Sequence, residues 1–162
     1  MSLNSFDFRK AMGQFATGVT IITVDLEGEG HGGVHGMTAN AFASVSLDPP
    51  LVLFCASKDS STWPKIEATG KFTVNVLNEH QEDICRVFAT KGADRFSRIG
   101  WRPSAGGSPI LHDTLAYIDC TIRDQHEAGD HLIVVGQVQE LGVLGDEGPL
   151  IFYRGGYGHF DS

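Results

Sequence analysis

Cysteine is scarce in this sequence and is not arranged for cross-linking. Only Cys55, Cys85 and Cys120 occur among 162 residues, an odd number at wide spacing with no CxxC pair. A disulfide framework needs an even set of cysteines and a structural zinc site needs close pairs, so neither is indicated. We expect three reduced thiols packed in the protein core.

Long apolar runs and excess positive charge are also missing. No stretch approaches the roughly 20 apolar residues that a membrane-spanning helix needs, and the first ten residues lack the basic and then apolar order of a secretory signal. Lysine and arginine together number 12 against 20 aspartates and glutamates, which gives a formal charge of −8. Because a nucleic-acid backbone requires many cationic contacts, we do not expect the protein to bind nucleic acid. The missing apolar run and signal sequence lead us to expect a cytoplasmic protein that does not bind a membrane.

Familiar catalytic and metal-binding motifs are absent or out of context. Gly28, Gly30 and Gly33 match the GxGxxG dinucleotide pattern, but no helix follows them. Glu27 and Glu29 would repel a pyrophosphate, so a glycine-rich hairpin turn is favoured. His31 and His35 are four apart, as metal ligands on a helix are, but the glycines between them do not favour a helix. There is no GxSxG elbow. We expect no metal site.

The patterns that are present predict one mainly β domain over residues 1–162, because 41% apolar content in a chain of this length suits a single core. Apolar spacing indicates an amphipathic helix over 5–17, closed by Gly18. Two short covering helices are predicted over 60–70 and 78–90, with Gly70 ending the first, and an irregular loop over 101–114. Short β-branched runs predict strands over 19–24, 41–47, 51–56, 71–77, 115–122 and 131–141. A barrel or sandwich follows, with Ala43, Val45 and Leu47 on a core-facing side of one strand.

Three stretches are candidates for ligand binding, each with a simpler structural interpretation. Hydroxyl groups crowd residues 57–62 just before a predicted helix, where they could cradle a phosphate or simply cap the helix. Lys91 and Arg95 could assist a phosphate or be ordinary surface charges. The aromatic, glycine-rich segment 153–160 could hold a planar ligand or close the fold. His131, at the start of an apolar strand, would by itself be read as structural.

Taken in order along the chain, several of these stretches resemble one known family. They are FRKAMGQFATGVTIITV, GMTANAFASVSLDPPLVLFCASKDSST, FTVNVLNEHQEDICRVFA, GADRF, EAGDHLIVVGQV and PLIFYRGGYGHF. The family is the flavin reductase components of two-component monooxygenases, which adopt the FMN-binding split β-barrel. Gly129, Asp130 and His131 look like its GDH motif.

The resemblance implies a homodimer in which flavin lies in a groove at the subunit interface. Backbone atoms of one segment would lie beside the flavin ring; these belong to Thr38, Ala39, Asn40, Ala41 and Phe42. The ring and ribityl chain would be lined by Cys55, Ala56 and Ser57. The phosphate end would be formed by Ser61, Thr62, Phe88 and Lys91. His131 would be the catalytic residue at the nicotinamide, and the cofactor-binding residues there would be Asp130, His131, Tyr153, Arg154 and Tyr157.

The function implied is hydride transfer from NADH, or NADPH, to FMN or FAD, with the reduced flavin passing to a separate oxygenase component. Such chemistry needs two stacked rings and little acid–base machinery, which agrees with the missing catalytic triad. Two alternatives stay open at this stage. The chain could be a flavin-binding electron carrier without turnover, or an unrelated β-barrel that binds another ligand.

Overall fold

The computed structural model describes residues 2–26, 33–92 and 94–161. Within them the helices are α1 (Ser5–Met12), α2 (Trp63–Thr69) and α3 (Glu82–Ala89). The strands before α3 are β1 (Thr17–Gly18), β2 (Thr20–Asp25), β3 (Val34–Ala39), β4 (Phe42–Leu47), β5 (Pro50–Ser57) and β6 (Lys71–Val76). Those after it are β7 (Trp101–Pro103), β8 (Pro109–Leu111), β9 (Ala116–Ala128), β10 (His131–Val143), β11 (Leu150–Tyr153) and β12 (Gly156–His159).

Seven strands form one antiparallel sheet in the order β3-β2-β6-β9-β10-β5-β4. The prediction of a mainly β domain is confirmed. Strands β3 and β4 are the two edges, and no ladder joins them within the described residues, so the closed form of a split barrel stays a prediction. A second sheet, β1-β11-β12, and the small β7-β8 ribbon complete the fold.

Two apolar clusters hold the sheet together. The first packs α2 against the large sheet, where the Phe54 ring lies edge-on to Phe72 with centroids 5.0 Å apart and to Trp63 at 6.5 Å. The second packs α3 against β2 and the β11-β12 sheet through Cys85, Phe88 and their neighbours. All three cysteines are free, and the prediction of core thiols is confirmed for Cys85 and Cys120, which are buried in the two clusters, whereas Cys55 is only half-buried.

The first helix is shorter than predicted. Asn4 caps α1 by accepting a hydrogen bond from the Asp7 amide at 2.8 Å, but the helix ends at Met12 rather than at residue 17. Thr17 and Gly18 instead form β1, which pairs with β11. Gly18 is therefore not a helix cap, because it belongs to β1 and pairs with β11, a strand near the C-terminal end of the sequence.

Other differences involve short or glycine-rich strands. Strands β3, β11 and β12 were not predicted, and residues 101–114, predicted as a loop, contain β7 and β8. Strands of three or four residues, such as β7, β8, β11 and β12, have too few residues to show a clear period of two. Strand β3 has six residues but contains Gly36, and glycine is depleted in strands. The hairpin turn predicted at Gly28–Gly33 lies mostly outside the described residues, as does His31, although the flanking β2 and β3 are antiparallel neighbours.

The predicted inward face of β4 is the exposed one in the described chain. Ala43, Val45 and Leu47 are all exposed, and Leu47 reaches 96% exposure. Phe42, assigned to the other face, packs against the first core cluster. Strand β4 is an edge strand with a register shift between Ser44 and Ser46, and none of the residues that the structure describes buries this apolar side.

Candidate functional site

The predicted ligand-binding residues converge on the end of β5. Strand β10 pairs with β5 so that His131 lies opposite Ser57, with the next two pairs joining the 132–133 stretch to Ala56 and Cys55. The Lys58 amide donates to the Asp130 carbonyl at 3.0 Å, which fastens the β9-β10 turn to the loop that follows β5. This turn requires a left-handed backbone at Gly129 (φ 67°), a conformation that glycine adopts at little cost.

The imidazole of His131 is held by its sequence neighbour. Its Nδ1 lies 2.8 Å from Asp130 Oδ1, and its side chain is 46% exposed. The hydrogen bond and the electrostatic interaction with His131 lower the pKa of Asp130 below its usual value. His131 is therefore presented in an accessible position with one nitrogen engaged.

The loop after β5 closes on itself before α2 begins. The Oγ of Ser60 accepts hydrogen bonds from the amides of Thr62 and Trp63 at 3.1 and 3.2 Å. The side chain of Thr62, which occupies the N-cap position, makes no capping bond; it donates to the Gly36 carbonyl at 3.1 Å. Helix capping therefore accounts for Ser60, whereas it does not account for Ser61 or Thr62.

A polar cavity of about 420 Å³ opens beside this loop. It is lined by Met37, Thr38, Asp59, Ser60, Ser61, Thr62, Phe88, Ala89, Lys91, Gly92 and Arg95. The structure thus brings together Thr38 from β3, the two predicted hydroxyls and Lys91. Hydroxyl donors and two cations around one cavity suit an anionic group such as a phosphate.

Arg95 is a wall residue that the resemblance did not assign. Its Nη1 donates to the Gly36 carbonyl at 2.6 Å and its Nη2 to the Thr90 carbonyl at 3.2 Å, so the guanidinium ties β3 to the end of α3. Burial lowers its pKa from the usual arginine value, but arginine stays charged at neutral pH. The sequence signal was the spacing of Lys91 and Arg95, which taken alone fits surface charge.

The segment 38–42 does not line one continuous slot. Asn40, Ala41 and Phe42 lie in a second cavity of about 630 Å³, which is apolar and is shared with α1, Leu53 and the β11-β12 hairpin. Ala39 and Ala56 are buried in the first core cluster. Cys55 donates its amide to the Ala41 carbonyl at 3.0 Å. Thr38 thus borders the polar cavity, whereas Asn40, Ala41 and Phe42 border the apolar one.

The predicted C-terminal residues contact the helices. Arg154, with φ of 50°, donates its amide to the Gly13 carbonyl at 2.9 Å, and its Cζ lies 4.9 Å from the Tyr153 ring centroid. Tyr157 accepts a hydrogen bond from the Cys85 thiol at 3.3 Å and lies beneath the Arg86 guanidinium. None of the hydrogen bonds or ring contacts of these three predicted residues involves His131, so their place at the nicotinamide stays a prediction.

The described residues also bear on metal binding and on membrane insertion. No group of three or more His, Cys, Asp or Glu side chains is placed to hold a metal ion. No helix is both long and apolar enough to span a bilayer.

Comparison with known proteins gives the class. Residues 12–161 match the family model described as flavin reductase like domain. The chain is 48% identical over 154 residues to a flavin reductase from Pseudomonas putida, covering 94% of this chain and 88% of the relative. It is 48% identical over 157 residues to HsaB, the reductase subunit of a flavin-dependent monooxygenase from Mycobacterium tuberculosis, covering 93% and 79%. An NADH-dependent flavin reductase from Rhodococcus is 45% identical over 152 residues, covering 92% and 82%.

Solved structures agree with this result. Nitrilotriacetate monooxygenase component B from Mycobacterium thermoresistibile superposes with a TM-score of 0.91 at 47% identity, covering 96% of this chain and 86% of that one. The NADH:FAD oxidoreductase SgcE6 from Streptomyces globisporus C-1027, solved with NAD and FAD fragments, gives 0.90 at 34% identity, covering 99% and 98%. The chain therefore belongs to the flavin reductase-like family. It is an oxidoreductase, similar to reductase subunits of flavin-dependent monooxygenases.

Proposed function

We propose that this protein is an NADH-dependent flavin reductase that reduces FMN or FAD and supplies the reduced flavin to a separate monooxygenase. The observation that carries the proposal is the convergence at the end of β5. There one loop joins an exposed, oriented histidine to a polar cavity with two cations. An electron carrier would need the cavity but not the histidine.

The polar cavity fits the phosphate of a flavin nucleotide. Ser61 and Thr62 supply hydroxyl groups, and Lys91 and Arg95 supply positive charge on a chain whose net charge is −8. Those local cations matter because the rest of the molecule repels anions on average. In this assignment Arg95 joins the phosphate-binding residues predicted from the sequence.

A bound flavin would accept hydride from the nicotinamide of NADH. The protein's part is to stack the two rings and to exclude water, which requires small side chains and main-chain groups rather than a reactive residue. Ala41 and Ala43 supply small side chains at the apolar cavity, and Cys55 is joined to this stretch by the hydrogen bond from its amide to the Ala41 carbonyl. Main-chain amides near the flavin can stabilise negative charge on the reduced ring. His131 would contact the carboxamide of the nicotinamide and hold it in register.

The proposal also specifies the nicotinamide and flavin nucleotides. NADH is favoured over NADPH because the net charge is negative and one similar protein is an NADH-dependent flavin reductase. Both FMN and FAD are kept as substrates. We further propose that the protein acts in the cytoplasm together with an oxygenase component, as similar proteins are named as reductase subunits.

We propose a homodimer in which a second copy covers the open apolar surfaces. Helix α1 has no buried residue, and the large apolar side chains that are exposed in the described chain include Phe6 and Phe15, and also Leu47 of β4 and Val143 of β10. Burial of each such side chain would contribute about 1.5–3 kcal/mol. The apolar cavity beside residues 40–43 would then become a slot between subunits.

The decisive experiment is the anaerobic addition of NADH to the pure protein in the presence of excess FMN or FAD. The reaction is monitored by the absorbance band of the oxidised flavin. Bleaching of the whole flavin pool indicates catalytic turnover, whereas bleaching of one equivalent indicates a carrier. No bleaching contradicts the proposal.

His131→Ala tests the role of the histidine. We expect the KM for NADH to rise or kcat to fall by roughly 10-fold or more, the size of a lost positioning contact of about 1.4 kcal/mol, while flavin affinity is retained. His126→Ala is the matched control, because His126 is an exposed histidine on the same hairpin. Unchanged kinetics in His131→Ala would refute the assignment.

The dimer is tested by the mass in solution and by Leu47→Asp. A dimer that dissociates in this variant, with loss of flavin binding, agrees with an interface that contains β4. A strictly monomeric wild-type protein that still reduces flavin would contradict it.

A further inference from the structure

The pair formed by Asp130 and His131 is ordered from the backbone although it is exposed. The Asp130 side chain is 97% exposed, and such carboxylates are normally mobile. Here the main-chain carbonyl of Asp130 accepts a hydrogen bond from the Lys58 amide. His131 is paired in the sheet on both sides, with Ser57 of β5 and with Ala128 of β9. The backbone thus fixes both Cα positions. The 2.8 Å contact between the two side chains then requires only one rotamer of Asp130 and one of His131.

The chemistry of the two groups dictates where the proton lies. An ionised carboxylate can only accept hydrogen bonds, and the pKa of Asp130 is lowered by its interactions with His131, so Asp130 is ionised at neutral pH. The contact therefore requires a proton on Nδ1 of His131. While the imidazole is neutral, Nε2 on the far side of the ring carries a lone pair and accepts hydrogen bonds.

We propose that Asp130 is a positioning residue, which does not contact the nicotinamide but sets the Nδ1–H tautomer of His131 and so presents Nε2 as a hydrogen-bond acceptor for the carboxamide N–H of NADH. This inference rests on the proposed reductase function. It changes the role that the resemblance gave Asp130, from a residue that binds the cofactor to one that acts through its neighbour.

The nearby charged groups leave Asp130 as the partner that defines the tautomer. Lys58 and Glu127 form an ion pair with each other at 3.5 Å. Among the residues that the structure describes, Asp130 is the side chain hydrogen-bonded to the imidazole, and Lys58 and Glu127 are not. The chain therefore contains a matched control. Glu127→Gln removes one negative charge from the same hairpin tip without removing the carboxylate that His131 contacts.

The test compares Asp130→Asn, Asp130→Ala and Glu127→Gln by ¹⁵N NMR of the His131 ring in the full protein. In the wild type and in Glu127→Gln we expect the Nδ1–H tautomer. In Asp130→Ala the ring should shift toward the Nε2–H form that water favours, and in Asp130→Asn the preference should weaken, because an amide can donate or accept. An unchanged tautomer in Asp130→Ala overturns the proposal.

Kinetics in a double-mutant cycle show whether Asp130 acts through His131. Asp130→Ala should raise the KM for NADH by roughly 10-fold, the loss of a charge-assisted hydrogen bond, with flavin affinity unchanged. In a His131→Ala background the same change should alter KM by less than about two-fold, the limit for non-interacting sites. An equal effect in both backgrounds overturns the inference. A wild type that reduces no flavin would instead refute the proposed function, while the NMR result would still report on the pair.

Discussion

Replacement of Gly36 by alanine should damage the wall of the polar cavity. A Cβ at this buried position of β3 would lie 2.5 Å from Cε1 and 2.9 Å from Cδ1 of Phe88, whose side chain is only 2% exposed. The ring cannot retreat freely, since it packs edge-on against Phe96 with centroids 5.2 Å apart. The Gly36 carbonyl also accepts hydrogen bonds from Thr62 and Arg95, so a shift of β3 would move two cavity residues.

Overpacking of this kind costs about 1–3 kcal/mol. For a chain of this length each kcal/mol lowers Tm by about 2–4 °C, so Gly36→Ala should melt roughly 2–12 °C below the wild type by the same conversion. Thermal melting without flavin measures the stability, and fluorescence titration with FMN should show weaker binding. Gly18→Ala is the control, because a Cβ there meets nothing within 4 Å.

A second variant separates the proposed clash from a general intolerance of β3. In a Phe88→Leu background the side chain that would clash with the new Cβ is smaller. Gly36→Ala should therefore lower the free energy of unfolding by less in that background than in the wild type. The reasoning is refuted if Gly36→Ala melts within about 1 °C of the wild type, well short of the shift expected for overpacking. It is also refuted if the cost is the same in both backgrounds.

Two further outcomes are expected. Arg95→Met should weaken FMN binding by roughly 10-fold or more through loss of a charge-assisted contact. Arg98→Met is the control, at an exposed position on the same segment, and should leave FMN binding unchanged. Equal FMN affinities for the two variants in a titration would contradict this prediction. Burial raises the pKa of Cys120 from its usual value of 9.0 to about 12, so the folded chain keeps a proton that the unfolded chain releases, and stability is lost as pH rises from about 9 toward about 12. Denaturant unfolding should show a smaller alkaline loss for Cys120→Ala, and parallel curves would contradict the assignment.

Much of the sheet could be predicted because most of its strands have clear local patterns. The runs that became β2, β5, β6, β9 and β10 are β-branched and are bounded by turn residues, and the two covering helices were also found. Gly70 ends α2 in the left-handed conformation, as predicted. Each of these signals lies within about ten residues of sequence, which is the range over which periodicity can be read.

The errors arose where a distant segment decided the local structure. Thr17 and Gly18 continue an apolar helical pattern, but pairing with β11 draws them into a strand. The alternation of β4 correctly separates two faces, yet it cannot say which one the chain itself covers. Val45 is exposed and Phe42 packs inward, so the face that carries Val45 is not the one that joins the core.

The candidate site shows the same division. The sequence by itself determined the mainly β class, the family and the short motifs at 57–62 and 129–131, since these depend on residue types at close spacing. Only the tertiary structure decided that Arg95 belongs with Ser61 and Lys91 in one cavity, and that residues 38–42 face two cavities. Such groupings depend on strand order and register, because contacts between strands join residues far apart in sequence and no local pattern encodes which of them meet.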